Sequence, residues 1–375
     1  IYLYVCFMKN KDRYLTDLDS WSPAVFLMPS ILVVLFVSIF PLIGSLYMAF
    51  SRFKFVQGGI EFKYIGILNF KKLLFGSQQY HFLGTFKELS LFSWVVIVLL
   101  TLLVLYRLIK YFISDQNTII GLIGWTAASV IFLSLSLIIL KSLGSGGRLG
   151  SLGVTMFYVF FGTVIQYTIG LGLALLCVQN LKGKIFFRSL FFIPLMITPV
   201  GTGYLFRMLT DTTNGPFKPI WVWLGYQDYS WASNAWGARI AVVIADSWIW
   251  IPFMLIVLIS AIESQDQSLK EAALIDGASS RQLFRYITWP GILPTSIVII
   301  IIRVIDGFKI VDLPSVLTSG GPGIASESMT LHSFFTWRSL DLGGSSAISY
   351  LLLFVVIFFS LSIINGLRRY TVTDV

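Results

Sequence analysis

Charge is the first thing this chain is short of. Of 375 residues only 12% are Asp, Glu, Lys or Arg, against 56% hydrophobic, whereas soluble domains carry about a quarter charged residues. A chain this poor in charge cannot cover a water-facing surface, which excludes a soluble enzyme or a free-standing binding domain. Cysteine is nearly missing too: Cys6 and Cys177 have no thiolate-ligand spacing and offer no disulfide framework. The two histidines, His81 and His332, are both expected in external segments and read as neither a zinc site nor an acid–base pair. No Gly-x-x-x-x-Gly-Lys-Ser/Thr occurs, and the glycine-rich run from Gly144 to Gly150 does not supply one. The chain therefore cannot cradle ATP phosphates itself. It shows no catalytic residue and no metal ligand, and it reads as no enzyme.

Acid is scarcer than base, with 18 Asp and Glu against 27 Lys and Arg and a net charge of +9. The basic residues sit in short clusters at the ends of apolar runs, as positive-inside anchoring in lipid requires, so the excess marks topology and not nucleic-acid binding. What is abundant is the apolar run itself. A hydrocarbon core of about 30 Å takes about 20 apolar residues per helix, and about eight runs qualify, near 24–50, 91–113, 119–140, 152–178, 189–208, 238–262, 294–313 and 346–367. The fold class is all-α integral membrane. The first run has no small-residue cleavage site after it and is expected to be retained as a span.

Lys9, Lys11, Arg13, Arg107, Lys110, Lys182, Lys184, Arg188, Lys270, Arg281, Arg285, Arg368 and Arg369 all fall on one side. That side is the cytoplasm, so both termini and the central loop are expected there in a multi-pass protein of the cell inner or plasma membrane. The segment 51–90 falls outside yet is basic, and part of it is expected to lie flat as an interfacial helix.

The central loop, 264–293, is a polar island between two spans. Ser268-Leu-Lys-Glu271 and Ser279-Ser-Arg-Gln282 both have capping-box spacing, Asp276-Gly277 supplies a left-handed stop, and Pro290 is expected to end the second helix. The product is a helix, a sharp turn and a helix: a cytoplasmic knob. Inside the spans, Arg303, Asp306 and Lys309 recur every three residues, so each cation can reach the acid between them. Asp246, Trp250 and Phe253 form one stripe, two aromatic faces beside a carboxylate, which suits the flat C–H patches and hydroxyl edges of a sugar. Thr198, Thr202, Tyr204, Gln166 and Tyr167 are weaker candidates, expected to be satisfied by neighbouring helices.

Glu271-Ala272-Ala273, three residues, Gly277, nine residues, then Ile287 and Pro290 resembles the EAA loop of permease subunits of ATP-binding-cassette importers, and Asp276-Gly277-Ala278 is the carbohydrate-uptake version. Ser38 to Ser51, Tyr64 to Phe70, Arg188 to Leu195, Phe308 to Asp312, Leu317 to Gly323 and Asp341 to Ala347 are similar to further landmarks of that family. The resemblance implies a type I (MetI-like) permease core over 151–375. A first core helix and external segment would lie within 1–90, and an inserted helix pair with a flexible glycine joint within 91–150. It implies that Glu271, Ala272, Ala273, Asp276, Gly277 and Ala278 couple to an ATPase, and that solute passes near Asp246, Trp250, Phe253, Asp306, Gly307 and Lys309. It further implies a second permease, two ATPase subunits that bind ATP and Mg, and an extracytoplasmic sugar-binding protein. Import of a di- or oligosaccharide or related glycoside is the reading it favours. An importer of a polyol or glycerol phosphate, an ion-coupled carrier that uses the 303–309 charges as a relay, and a non-transporting scaffold are the alternatives.

Overall fold

A computed structural model describes residues 17–56, 59–86, 88–113, 119–143, 148–179 and 183–371. Lys9, Lys11, Arg13, Lys182 and the Gly144 to Gly147 run lie outside the described residues, as do the side chains of Lys184, Arg368 and Arg369. Among the described residues seven helices are long and apolar enough to cross a membrane, and a bent pair makes up to eight.

The first span starts as α1 (Asp17–Val34) and reaches α2 (Phe40–Ala49) through a π-helical turn at Leu35–Ile39. The wider turn falls just ahead of Pro41, where an ordinary turn would set the ring against a carbonyl one turn back. Next comes an antiparallel hairpin, β1 (Ser51–Val56) and β2 (Gly59–Tyr64), with Phe53 opposite Phe62 and Lys54 opposite Glu61. This corrects the all-helical expectation locally: alternating Arg52, Phe53, Lys54 and Phe55 is a period-two pattern that leaves one face polar. The expected surface helix follows as α3 (Leu68–Phe75). Its buried Asn69 donates to the Ala49 and Ser51 carbonyls at 2.9 and 3.0 Å, closing the frayed end of α2. A short α4 (Gln79–Phe82) completes the segment.

The inserted pair, α5 (Leu91–Ile113) and α6 (Ile119–Leu143), leaves the core at β3 (Gly84–Thr85) and returns at β4 (Arg148–Leu149), which pair with each other. The insertion is thus closed at its base. Gly150 is no flexible joint: a Cβ there would lie 2.4 Å from the Gly84 nitrogen, and one on Gly84 would lie 2.2 Å from the Arg148 carbonyl oxygen. Only glycine permits backbones that close. The two inserted helices pack chiefly on each other, and Leu135 and Ile138 of the second lean on the core.

The core is α7 (Ser151–Cys177) laid along α11 (Ala235–Glu263), with α14 (Trp289–Gly307) across both and α17 (Leu342–Thr371) behind α14. Gly170 of α7 allows the closest approach, since a Cβ there would meet Met254 Cβ of α11 at 2.6 Å. The run expected to span at 189–208 is not straight. It is α8 (Lys184–Met196) and α9 (Pro199–Leu209), bent by 99° at the break. Pro194 and Pro199 remove two donors, and Thr198 caps the second piece by accepting from the Gly201 N–H. A short α10 (Lys218–Trp223) precedes α11.

The knob forms with two differences from its expected caps. The first helix, α12 (Gln267–Ile275), is capped by Asp266 accepting from the Ser268 N–H at 2.9 Å, not by Ser268; those hydrogen bonds hold the Asp266 carboxyl below its usual range. The second, α13 (Ser280–Leu283), has the expected Ser279–Gln282 capping box. Pro290, however, does not end it. A second π turn, Phe284–Thr288, takes up the proline, and the helix runs on into α14. Beyond α14 come α15 (Asp312–Thr318) and α16 (Met329–Arg338).

Candidate functional site

Three helices bring three polar side chains together at mid-core. Gln166 (α7), Asp246 (α11) and Arg303 (α14) are buried; Gln166 donates to Asp246 Oδ2 at 2.8 Å and accepts from Arg303 Nε, while the Arg303 guanidinium pairs with the same Asp246 oxygen. Every charge here has a partner, as burial in an apolar bundle requires. Gly162 makes the room, because a Cβ there would press on Asp246 Oδ2 at 3.3 Å.

Asp246 and Arg303 of this triad floor a cavity of about 210 Å³, lined also by Trp250, Asp306 and Lys309, with Pro199 of the bent helix at its side; Gln166 lies behind the two charges and holds both of them. The Arg303 guanidinium lies 4.8 Å over the Trp250 ring, and its other arm reaches Asp306 at 3.5 Å. Asp306 is thus held by Arg303. Lys309 lies past the end of α14, exposed, and among the described residues it makes no ion pair, so the expected three-step charge ladder has two rungs. The α9–α15 pair walls the cavity: Gly203 lets Val316 approach, and Arg207 donates to the Val316 carbonyl at 3.3 Å.

Of the six residues expected along the pathway, Asp246, Trp250, Asp306 and Lys309 line the cavity. Phe253 does not; it meets the Trp250 edge at 5.6 Å and packs on the lower core. Gly307 faces away, where a Cβ would meet Val159 and Arg303 at 3.3 Å. Gln166 is satisfied by its neighbours as expected, but those neighbours are the cavity floor. Arg303 was legible only as a member of a charge cluster, since its main partner lies on another helix. Tyr167 donates to the Ser296 hydroxyl at 2.8 Å, and Tyr204 is exposed. Thr202 is buried with its hydroxyl unpartnered among the described residues, contrary to the expectation that a neighbouring helix satisfies it, and Thr198 is satisfied locally as the cap of α9.

At the other end of the molecule the knob is held stiffly. Gln265 donates to the Thr288 carbonyl at 2.9 Å and Lys270 to the Ile262 carbonyl at 3.3 Å, which clamps the base of the elbow. Gly277 has φ of +80°. The Ala278 N–H bonds to the Ala273 carbonyl and the Gly277 N–H to the Leu274 carbonyl, at 2.9 and 3.1 Å. These two bonds make a Schellman closure, so Ala273, Gly277 and Ala278 are backbone requirements of one turn. Glu271, Ala272 and Asp276 are exposed on the same elbow, beside Leu269, Leu274 and an 86% exposed Ile275.

A second polar cluster lies outside the spans. His81 stacks on His332 with ring centroids 3.8 Å apart, and Glu327 accepts from or pairs with His81 at 3.0 Å. Folding thus brings together two histidines and a glutamate that are far apart in the chain, a proximity that no spacing in the sequence announces.

A bundle of spans around a polar cavity, with a stiff elbow standing out from one end, defines a membrane transport permease. Residues 166–368 match the family described as binding-protein-dependent transport system inner membrane component, and the chain belongs to that family. It is 35% identical over 208 residues to the trehalose/maltose transport system permease protein MalF of Thermococcus litoralis, covering 56% of this chain and 70% of that protein. It is 22% identical over 369 residues to the maltodextrin transport system permease protein MdxF of Bacillus subtilis, covering 94% of this chain and 70% of that one. A chain of a bacterial alginate ABC transporter, solved in complex with an alginate pentasaccharide-bound periplasmic protein, shares the fold. Its TM-score is 0.61 at 16% identity, over 95% of this chain and 96% of that one.

Proposed function

We propose that this chain is the membrane-spanning subunit of an ATP-driven importer that moves a di- or oligosaccharide into the cytoplasm. The sugar assignment rests on its relatives, which include trehalose/maltose and maltodextrin permeases, and on one observation in the cavity. Trp250 lines the cavity beside Asp246, Arg303 and Asp306, with the Arg303 guanidinium over one face of its ring, an aromatic surface edged by hydrogen-bonding groups of the kind a pyranose uses.

At about 210 Å³ the cavity is smaller than the roughly 300–1,000 Å³ of a complete small-molecule site. We read it as half a site, completed by a second permease. Two ATPase subunits that bind ATP and Mg would dock on the elbow at Glu271, Ala272, Ala273, Asp276, Gly277 and Ala278, and hydrolysis would belong to them. An extracytoplasmic binding protein would deliver sugar at the opposite end. Both termini and the elbow would face the cytoplasm of the plasma membrane, with 151–375 as the transport core, 91–150 as a peripheral insertion and 1–90 as the lead-in. Closure of the ATPase dimer would draw the elbow inward and rock the core helices, opening the cavity outward, and hydrolysis would reverse it.

Trp250→Ala tests the sugar reading. In vesicles containing the assembled importer, KM for the transported sugar is expected to rise about tenfold, equivalent to about 1.4 kcal/mol, with Trp250→Phe close to the parent chain. An unchanged KM for the alanine variant would remove Trp250 from the pathway.

A further inference from the structure

We propose that His81, Glu327 and His332 bind a single divalent transition-metal ion of the zinc class, a clasp that ties the external segment to the transport core. The three donor atoms lie within 4.8 Å of one another and come from three separate stretches: α4, the loop 319–328 and the first turns of α16. Two imidazole nitrogens with one carboxylate oxygen are a zinc-type donor set that leaves a fourth position for water. Calcium and magnesium prefer all-oxygen sites, so the set discriminates against them.

Two of the donors are already fixed. Glu327 and His332 are each 3% exposed. The loop that carries Glu327 is tied to the core by Tyr158 donating to the Ser326 carbonyl at 2.8 Å and by Arg239 donating to the Ala325 carbonyl at 2.6 Å. The start of α16 is pinned to α7, where Thr155 accepts from the Met329 N–H at 2.8 Å. His332 Nδ1 hydrogen-bonds the Ser151 hydroxyl at 3.0 Å; in the tautomer in which Nδ1–H donates to that oxygen, Nε2 carries the lone pair a metal requires. A partner of this kind on the far nitrogen orients metal-binding imidazoles generally.

The third donor is the adjustable one. The His81 side chain is 26% exposed and gives an ion a route in from solvent. Bonds of about 2.0–2.2 Å in a tetrahedral site set neighbouring donors roughly 3.3 Å apart. His81 Nε2 and Glu327 Oε1, at 3.0 Å, are already near that spacing, and the part-exposed His81 ring, now stacked on His332, is the one that would turn to bring all three donors onto one ion.

The test is zinc binding to the tag-free full chain, purified in detergent, stripped with chelator and dialysed. Zinc chloride titration is expected to show one saturable equivalent per chain and a rise in the thermal unfolding midpoint, with magnesium producing neither. His81→Gln and Glu327→Gln are each expected to weaken zinc binding by at least about tenfold; the exposed His81 site makes the first variant safe for folding, which its unchanged circular dichroism would show. Cobalt in place of zinc is expected to give the intense visible absorption of a four-coordinate ion, lost in His81→Gln. No saturable zinc, equal zinc binding by the parent and His81→Gln, or equal binding of magnesium would overturn the proposal and leave the cluster as an ion pair beneath a stacked ring. None of these outcomes depends on transport, so failure here is distinct from failure of the sugar assignment.

Discussion

Asp246→Ala is expected to destabilise the folded chain by about 3–5 kcal/mol, the range for removing one partner of a buried ion pair. Arg303 is 1% exposed and draws its charge compensation from Asp246, the Gln166 amide oxygen and a longer contact to Asp306. With the carboxylate gone, a guanidinium stays in an apolar bundle facing one acid at 3.5 Å. Denaturant or thermal unfolding in detergent reads the loss. The companion variant decides its origin: Asp246→Leu combined with Arg303→Met removes both charges and is expected to recover most of the stability, because apolar replacements of a buried pair are often neutral or better. It is not expected to recover uptake, since the cavity then loses both groups from its floor. A double variant that transports normally would make the pair a packing device alone.

Gly277→Val is expected to leave the subunit inserted and folded but to abolish stable association with the ATPase, taking uptake to background. At φ of +80° a side-chain-bearing residue costs about 1–2 kcal/mol, more for a β-branched one. A Cβ at Gly277 meets nothing within 4 Å, so the cost comes from the backbone and not from a clash. The turn relieves it by giving up the Ala278 to Ala273 and Gly277 to Leu274 bonds, and the elbow changes shape at the proposed ATPase contact. Gly277→Asn is the control, because asparagine tolerates left-handed backbone. It is expected to co-purify with the ATPase and to transport; equal loss in both variants would point to the bare surface and not the turn.

The sequence made some features legible and hid others for physical reasons. Long apolar runs announce spans because lipid imposes one length and one polarity, and Ser279, Gln282 and Gly277 announce the elbow because caps and left-handed stops are local chemistry. The prolines misled. Pro290 reads as a helix stop by the same local rule, yet the π turn at Phe284–Thr288 absorbs it, and a similar turn precedes Pro41. The bend at Thr198 was equally hidden, since a hydropathy window averages straight across it. The hairpin at 51–64 did carry its signal, Phe53 and Phe55 alternating with Arg52 and Lys54, but the basic residues across 51–90 pointed to an interfacial helix somewhere in the segment, and no strand was expected there. Contacts between distant segments were the least legible. Asp246, Gln166 and Arg303 come from three helices, and His81 meets His332 only after the chain has crossed the membrane several times. No spacing rule reports such encounters.

The elbow is proposed as the grip of a separate ATPase, and a single crosslink tests it. In an assembled importer with Cys6 and Cys177 replaced by alanine, Ile275→Cys presents a thiol at the most exposed apolar position of the elbow, since the parent isoleucine is 86% exposed. A short bifunctional maleimide is expected to join this subunit to the ATPase, with a yield that changes when ATP is added. A thiol that never reaches the ATPase, or that a membrane-impermeant reagent labels from outside intact cells, would contradict the account.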